Sequence, residues 1–251
     1  MEKKVVIVTG SSRGLGKAIA QKFADQGAYI VINYVKSEDK AQQLVQDIGE
    51  DRAIAIQADV RDSEQINHLV TKTIEHFGQL DVIVSNALIN FKFDPHAQQS
   101  LDTIDWKNYN EQFEGSVKAA LNLVQASLPY LKDSPQARII TIGTNLFQNP
   151  VVPYHEYTSG KAALLGFTRN IAKELGPDGI TANMISGGLL QATDASSVTT
   201  PEVFDLIANS SALQRVTTPE DVAEVVAFIG SEASRGLTGQ NITVDSGFTM
   251  N

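Results

Sequence analysis

Along the chain, short runs of β-branched and aliphatic residues alternate with longer stretches in which apolar residues return every three or four positions. The runs are KVVIVT, AYIVINY, AIAIQA, LDVIVS, RIITIG, ITANMI and NITVD. Each is bounded by turn-forming residues and apolar nearly throughout, as a strand covered on both faces would be. Between them GKAIAQKFADQG, SEDKAQQLVQDIG and SEQINHLVTKTIEHFG carry helical period. So do two longer segments, from about Trp106 to Leu131 and from about Glu156 to Leu175. This alternation predicts an α/β fold, a doubly wound parallel sheet of about seven strands with helices on both faces.

Gly27 and Gly78 are expected to end helices, and Ser37 and Ser63 to begin them. No internal repeat, low-complexity tract or Gly/Ser linker interrupts the pattern, so residues 1–251 are expected to form one domain. A domain of that size buries roughly three quarters of its unfolded surface. Two stretches lack either period, LINFKFDPHAQQSLDTID and GGLLQATDASSVTTPEVF. Long loops at the carboxyl edge of such a sheet commonly carry substrate contacts.

Hydrophobic residues at 42% and charged residues at 20% indicate a folded globular chain. The net charge of -9 opposes binding to phosphate backbones, so no nucleic-acid partner is expected. Cysteine is absent, which excludes thiol chemistry and fits a reducing compartment. The opening MEKKVVIVTG superficially resembles a secretory signal, but its apolar run is four residues long and stops at Thr9-Gly10. A buried strand fits it better, and no apolar stretch approaches the length of a membrane span. The expectation is a cytoplasmic protein without a membrane partner.

Candidate chemistry begins in VTGSSRGLGKAIA, where Gly10, Gly14 and Gly16 lie between the first strand and the first helix. Glycine there permits a tight turn and lets a pyrophosphate approach the N–H groups at the positive end of the helix. The missing lysine of a G-K-[ST] ending argues against a phosphate-transferring loop. At the end of the second strand, INYVKSED offers Asn33, Tyr34 and Val35 where a carboxylate would hold a ribose 2'-hydroxyl. Its absence, with Arg13 and Lys36 nearby, favours NADP(H) over NAD(H); the alternative makes both cations ordinary solvated charges. Tyr157 and Lys161 in YTSGK stand four apart, on one helical face, so both can reach one ligand.

In order, TGSSRGLG, ADV at Ala58 to Val60, SNAL, RIITIGT, YTSGK, ITANMISGG and TGQNITVDSG together resemble the short-chain dehydrogenase/reductase family. The resemblance spans essentially the whole chain and is nearest to the 3-oxoacyl-acyl-carrier-protein reductase group. It implies a Rossmann-like fold and NADPH-dependent reduction of a ketone, most of all a 3-oxoacyl thioester or similar small carbonyl. It further implies Tyr157 as acid, with Lys161 bonding the nicotinamide ribose. An unperturbed phenol is too weak an acid at neutral pH, and a neighbouring ammonium is expected to lower its pKa.

By the same resemblance Thr144 stands for the serine that holds the carbonyl oxygen, and Ser116 for an asparagine whose backbone carbonyl supports a proton path. The implied cofactor site is Gly10, Ser12, Arg13, Gly14, Leu15 and Gly16, then Tyr34, Lys36 and Ser37. Asp59 and Val60 would meet adenine, and Asn86 and Ala87 the ribose. Gly188, Leu190 and Thr193 close the site with Tyr157 and Lys161. Leu88 replaces a glycine, Gly187 a proline and Ser246 a glycine of the family pattern. A leucine at 88 must point away or narrow the site. Tyr154 and His155 are expected to be wall or surface residues.

The histidines, at 68, 76, 96 and 155, show no metal-ligand spacing, so no metal is expected. The segments LKDSPQAR and KELGPDG offer no basic patch for an acidic carrier protein, which leaves a free or coenzyme A-linked substrate in play. SVKAALNLVQASL and GKAALLGFTRNIA present small and apolar faces suited to a homodimer or homotetramer, or to burial within one chain. The departures at Leu88, Ser116, Thr144 and Gly187 motivate an alternative, an NADP(H)-binding sensor or assembly protein with impaired catalysis.

Overall fold

The computed structural model describes residues 3–94, 98–191 and 193–250. His96, one of the histidines considered above, lies outside the described residues. Seven strands, β1 (Val5–Val8), β2 (Tyr29–Tyr34), β3 (Ala53–Gln57), β4 (Val82–Ser85), β5 (Arg138–Thr144), β6 (Thr181–Gly187) and β7 (Asn241–Val244), form one sheet in the order β3-β2-β1-β4-β5-β6-β7. Every neighbouring pair is parallel. The order reverses between β1 and β4, so the chain leaves their carboxyl ends in opposite directions and opens a crevice there.

Alternation along the strands sends side chains to two cores. Val6 and Val8 join the core under α1 (Gly14–Asp25), α2 (Glu38–Ile48) and α8 (Pro219–Ile229). Val5 and Ile7 join the core under α3 (Ser63–Phe77), α5 (Ala119–Asp133) and α6 (His155–Leu175). α4 (Trp106–Phe113) precedes α5, and α7 (Pro201–Ser210) precedes α8. No helix of the described residues is long and apolar enough to cross a membrane.

The helix ends fall where expected, with different capping groups, and the longest predicted helix is interrupted. Gly27 (φ +86) and Gly78 (φ +77) do follow α1 and α3 in the left-handed region. Ser63 is the first residue inside α3, and Asp62 caps it by accepting from the amides of Glu64 at 2.9 Å and Gln65 at 3.2 Å. A carboxylate meets the positive helix end better than a hydroxyl. Ser37 precedes α2 without a side-chain capping bond. The long helix predicted from Trp106 is α4 and α5 joined by a π-helical turn, Glu114–Lys118. The second irregular stretch runs into α7 at Pro201, and α8 begins with a reciprocal capping box between Thr218 and Asp221. Both helices carry Thr-Pro at their start, a usable signal because proline suits the first helical turn.

Candidate active site

The glycine turn between β1 and α1 is held open by backbone geometry. Gly10 (φ +62) and Gly14 (φ +54) take conformations that side chains disfavour. A Cβ on Gly16 would stand 2.4 Å from the Gly10 carbonyl oxygen and 2.8 Å from Ser11 Cα, so the turn can close on the helix only without one. Asn33 ties this turn to the second strand. Its Oδ1 accepts from the Gly10 amide at 3.0 Å, and its Nδ2 donates to the Ala58 carbonyl at 2.9 Å. From β4, Asn86 donates to the Thr9 carbonyl at 2.9 Å, while the Thr9 hydroxyl accepts from the amides of Asn86 and Ala87. These bonds fix the crevice walls before any ligand arrives.

A cleft of about 1220 Å³ follows the crevice from the glycine turn to Tyr157. Gly10, Ser12, Arg13, Gly14, Leu15 and Gly16 line its first part, with Tyr34, Lys36, Ser37, Asp59 and Val60 at the β2 end. Asn86, Ala87, Tyr157, Lys161, Gly188, Leu190 and Thr193 line the remainder. Arg13, the N-cap of α1, makes no capping bond with its own side chain, leaving first-turn N–H groups to meet an anion. A cradle that a Cβ on Gly16 would fill, an open helix start and a cleft of this volume fit a dinucleotide. Two of the groups at the adenosine end are engaged. Arg13 pairs with Asp194 at 2.8 Å, and Asp59 with Arg61 at 2.6 Å, which holds the Asp59 carboxyl below its ordinary range.

At the other end, β5 presents Thr144 and α6 presents Tyr157 and Lys161. The Thr144 hydroxyl accepts from the Leu146 amide at 3.3 Å and is near enough to Tyr157 to favour its phenolate. Lys161 Nζ donates to the Ile142 carbonyl at 2.7 Å and lies 5.9 Å from the Tyr157 ring centroid. Ser116, in the π-helical turn, stands apart from the cleft lining. Its hydroxyl donates to the Gln112 carbonyl, and its Oγ packs 3.0 Å from the Cβ position of Gly160, beside the face of α6 that carries Tyr157 and Lys161. π-Turns of this kind frequently mark functional sites.

The expected acidification of the phenol is corrected by the structure. Burial pushes Tyr157 up to about 12, against the opposing pull of the Thr144 hydroxyl, and burial pushes Lys161 down to about 8. Both side chains are almost wholly enclosed, at 5% and 6% exposure, so loss of water penalises phenolate and ammonium alike. The amine sits over the ring rather than at the hydroxyl. Its attraction for a phenolate does not offset that penalty.

Leu88 is 38% exposed and part of the cleft lining, so of the two options for this side chain it takes the narrowing one. The residue against the phenol is Phe91, stacked on Tyr157 with centroids 4.2 Å apart. Phe91, Phe93, Asn33 and Asp194 all line the cleft and had no assigned role from sequence. Asn33 stands where the missing carboxylate was noted, and the phenylalanines lie in a loop singled out only as irregular. Thr193 turns its hydroxyl to Ser196 at 2.8 Å. Ser246 adopts a left-handed φ of +60 and bonds Thr217 at 2.8 Å. Tyr154 is buried and belongs to the wall, and His155 is the first residue of α6. Among the described residues no cluster of three or more His, Asp or Glu could hold a metal ion.

Comparison with known proteins agrees with this geometry. The family model described as enoyl-(acyl carrier protein) reductase matches residues 10–249. The 3-oxoacyl-[acyl-carrier-protein] reductase of Staphylococcus aureus is 29% identical over 250 residues, 98% of each chain. A hydroxynaphthalene reductase-like protein of Metarhizium guizhouense is 32% identical, over 97% of this chain and 94% of its own. A blue fluorescent protein from a metagenomic library, solved in complex with NADPH, superposes with a TM-score of 0.88 at 34% identity, covering 99% of both chains. With a parallel seven-stranded sheet, a glycine turn at its switch point and a Tyr-Lys pair across the cleft, the chain belongs to the short-chain dehydrogenase/reductase family of oxidoreductases.

Proposed function

We propose that the protein is an NADPH-dependent carbonyl reductase that converts a ketone to a secondary alcohol. The observation that carries the reading is that Tyr157 and Lys161 line one cleft with the glycine turn, at its far end, with the ammonium 5.9 Å from the phenol ring centroid. The glycine turn and the α1 start would hold the pyrophosphate, Asn86 and Lys161 the riboses, and the reduced nicotinamide supplies hydride when bound. Hydride addition leaves an alkoxide on the substrate, a stronger base than phenolate, and Tyr157 Oη passes its proton to it. A phenol pushed up to about 12 is fully protonated at neutral pH, the state a reduction requires. Thr144 orients that hydroxyl and donates to the carbonyl oxygen, while Ser116 supports the site through its π-turn.

NADPH is favoured because no carboxylate ends β2, and Arg13 and Lys36 line the cleft at that point. The relatives' names speak of two kinds of substrate, a 3-oxoacyl group and a hydroxynaphthalene. A carrier-bound thioester has less support, since Lys132, at the end of α5, pairs with Asp178 at 2.9 Å and adds no free basic patch for an acidic carrier. The reading includes one domain, a cytoplasmic location and a homodimer or homotetramer packed through α5 and α6. One observation favours a second reading, a nucleotide sensor: Phe91 covers the acid.

Oxidation of NADPH by purified protein with a ketone panel that includes acetoacetyl-coenzyme A tests both. Turnover is expected, with a loss of at least ~100-fold in Tyr157→Phe and unchanged NADPH binding. Full activity in that variant removes the acid assignment. Tight NADPH binding with no turnover on any ketone selects the sensor.

A further inference from the structure

Four aromatic rings, that of the proposed acid among them, form one cluster. Phe91 lies flat on the Tyr157 phenol, with planes 13° apart and centroids at 4.2 Å. Phe93 presents its edge to the same phenol at 5.5 Å and 86°. Tyr154 meets Phe91 edge-on at 5.2 Å and Phe93 at 5.9 Å, and Leu146 packs into the same cluster. The rings come from two separate pieces of chain, the loop after β4 and the start of α6.

That loop is anchored on either side of Phe91. Before it, Asn90 takes a left-handed φ of +44 and donates its side-chain amide to Glu111 at 2.6 Å. After it, the Phe93 amide donates to the Ala195 carbonyl at 2.9 Å, linking this loop to the one that follows β6. Phe91 is the ring between two fixed points.

A carbonyl oxygen that takes a proton from Tyr157 must come within hydrogen-bond reach of Oη, with its carbon skeleton alongside the phenol. Phe91, Tyr154 and Tyr157 all line the cleft, so the skeleton enters the space that the Phe91 ring fills. That space is one ring thick, floored by an aromatic face and walled by aromatic edges. A flat unsaturated ring placed there recovers the stacked and edge-on contacts that Phe91 gives up; a puckered saturated skeleton cannot lie flat and recovers only buried area.

We infer that Phe91 holds the place of a substrate's planar ring on Tyr157, in an aromatic seat that selects aryl or conjugated cyclic ketones. The inference rests on the carbonyl-reductase reading. Phe91 swings aside when such a ketone enters, and the ketone stacks on Tyr157 in its stead.

The test compares 1-tetralone with 1-decalone, bicyclic ketones of the same size that differ in planarity, on protein loaded with NADP⁺. Calorimetry should show tetralone binding roughly three- to tenfold tighter than decalone, the range of one aromatic pair. In Phe91→Ala both should bind tighter by a similar factor, with their ratio kept, because neither has a ring to displace. Phe91→Leu, which keeps an apolar cover without the stacked pair, should move both the same way by less and stands in if the alanine variant does not fold. Equal affinities in the natural protein, or weaker tetralone binding in either variant, overturns the inference. NADPH-driven turnover of the two ketones is measured alongside. Planar preference in binding with no turnover would sink the reductase reading alone, and turnover without planar preference would sink this inference alone.

Discussion

Lys161 is held at a cost that replacement by methionine should reveal. Burial lowers its pKa from 10.5 to about 8, and at about 1.4 kcal/mol per unit the folded chain gives up about 3 kcal/mol to keep that ammonium charged at neutral pH. Lys161→Met keeps the length and apolar stem and removes the charge, but leaves the Ile142 carbonyl without its 2.7 Å donor, a loss of about 1 kcal/mol. The variant should therefore be more stable by about 2 kcal/mol at pH 7, while losing turnover.

The gain should fade with pH. Below about 8 the lysine is protonated in both folded and unfolded chains, and the folded state bears the whole penalty. Above 8 the folded amine is neutral while the unfolded one still carries its proton, so the natural chain gains about 1.4 kcal/mol per pH unit until 10.5. Tyr157 is silent in this window, because its phenol keeps its proton in both states below 10; above 10 its raised pKa lowers stability as pH climbs. Isothermal urea unfolding of both proteins at pH 7 and at about pH 9.5 measures the difference, which should shrink by about 2 kcal/mol. A difference that stays constant would mean that Lys161 titrates normally and that the enclosed Tyr-Lys site has been misread.

Two helix-interior glycines should respond in opposite directions to alanine. At Gly16 the new Cβ meets backbone atoms at 2.4 and 2.8 Å, so Gly16→Ala should cost about 1–3 kcal/mol and weaken NADPH binding; at Gly166 no atom lies within 4 Å, so Gly166→Ala should raise Tm by about 2–4 °C. Calorimetric melting of both decides this, and a lower Tm at 166 with a smaller mass by light scattering would show instead that a second chain packs on α6. Arg13 meets Asp194 at 2.8 Å with both side chains more than half exposed, so the pair itself is worth under about 1 kcal/mol. Asp194→Asn should tighten NADPH binding by no more than about fivefold and leave NADH unchanged, and an equal gain for NADH would place Arg13 away from the 2'-phosphate.

Periodicity in the chain determined the seven strands, the placement of α1, α2, α3 and α6, and the parallel winding, because β-branched runs and three-to-four spacing act over a few neighbouring residues. It also put the glycines of the first turn next to a helix start, and Tyr157 with Lys161 on one face, since both are matters of local spacing. The tertiary structure alone decided what surrounds them. Phe91 reaches the phenol from a loop with no period, Asp194 reaches Arg13 across the crevice, and the π-turn packs Ser116 against Gly160 of α6, apart from the cleft lining. It also set the direction in which Tyr157 titrates. Desolvation sums over every group that excludes water from a site, and those groups come from strands and loops far apart in sequence, so no local pattern can report whether a charge or its burial prevails.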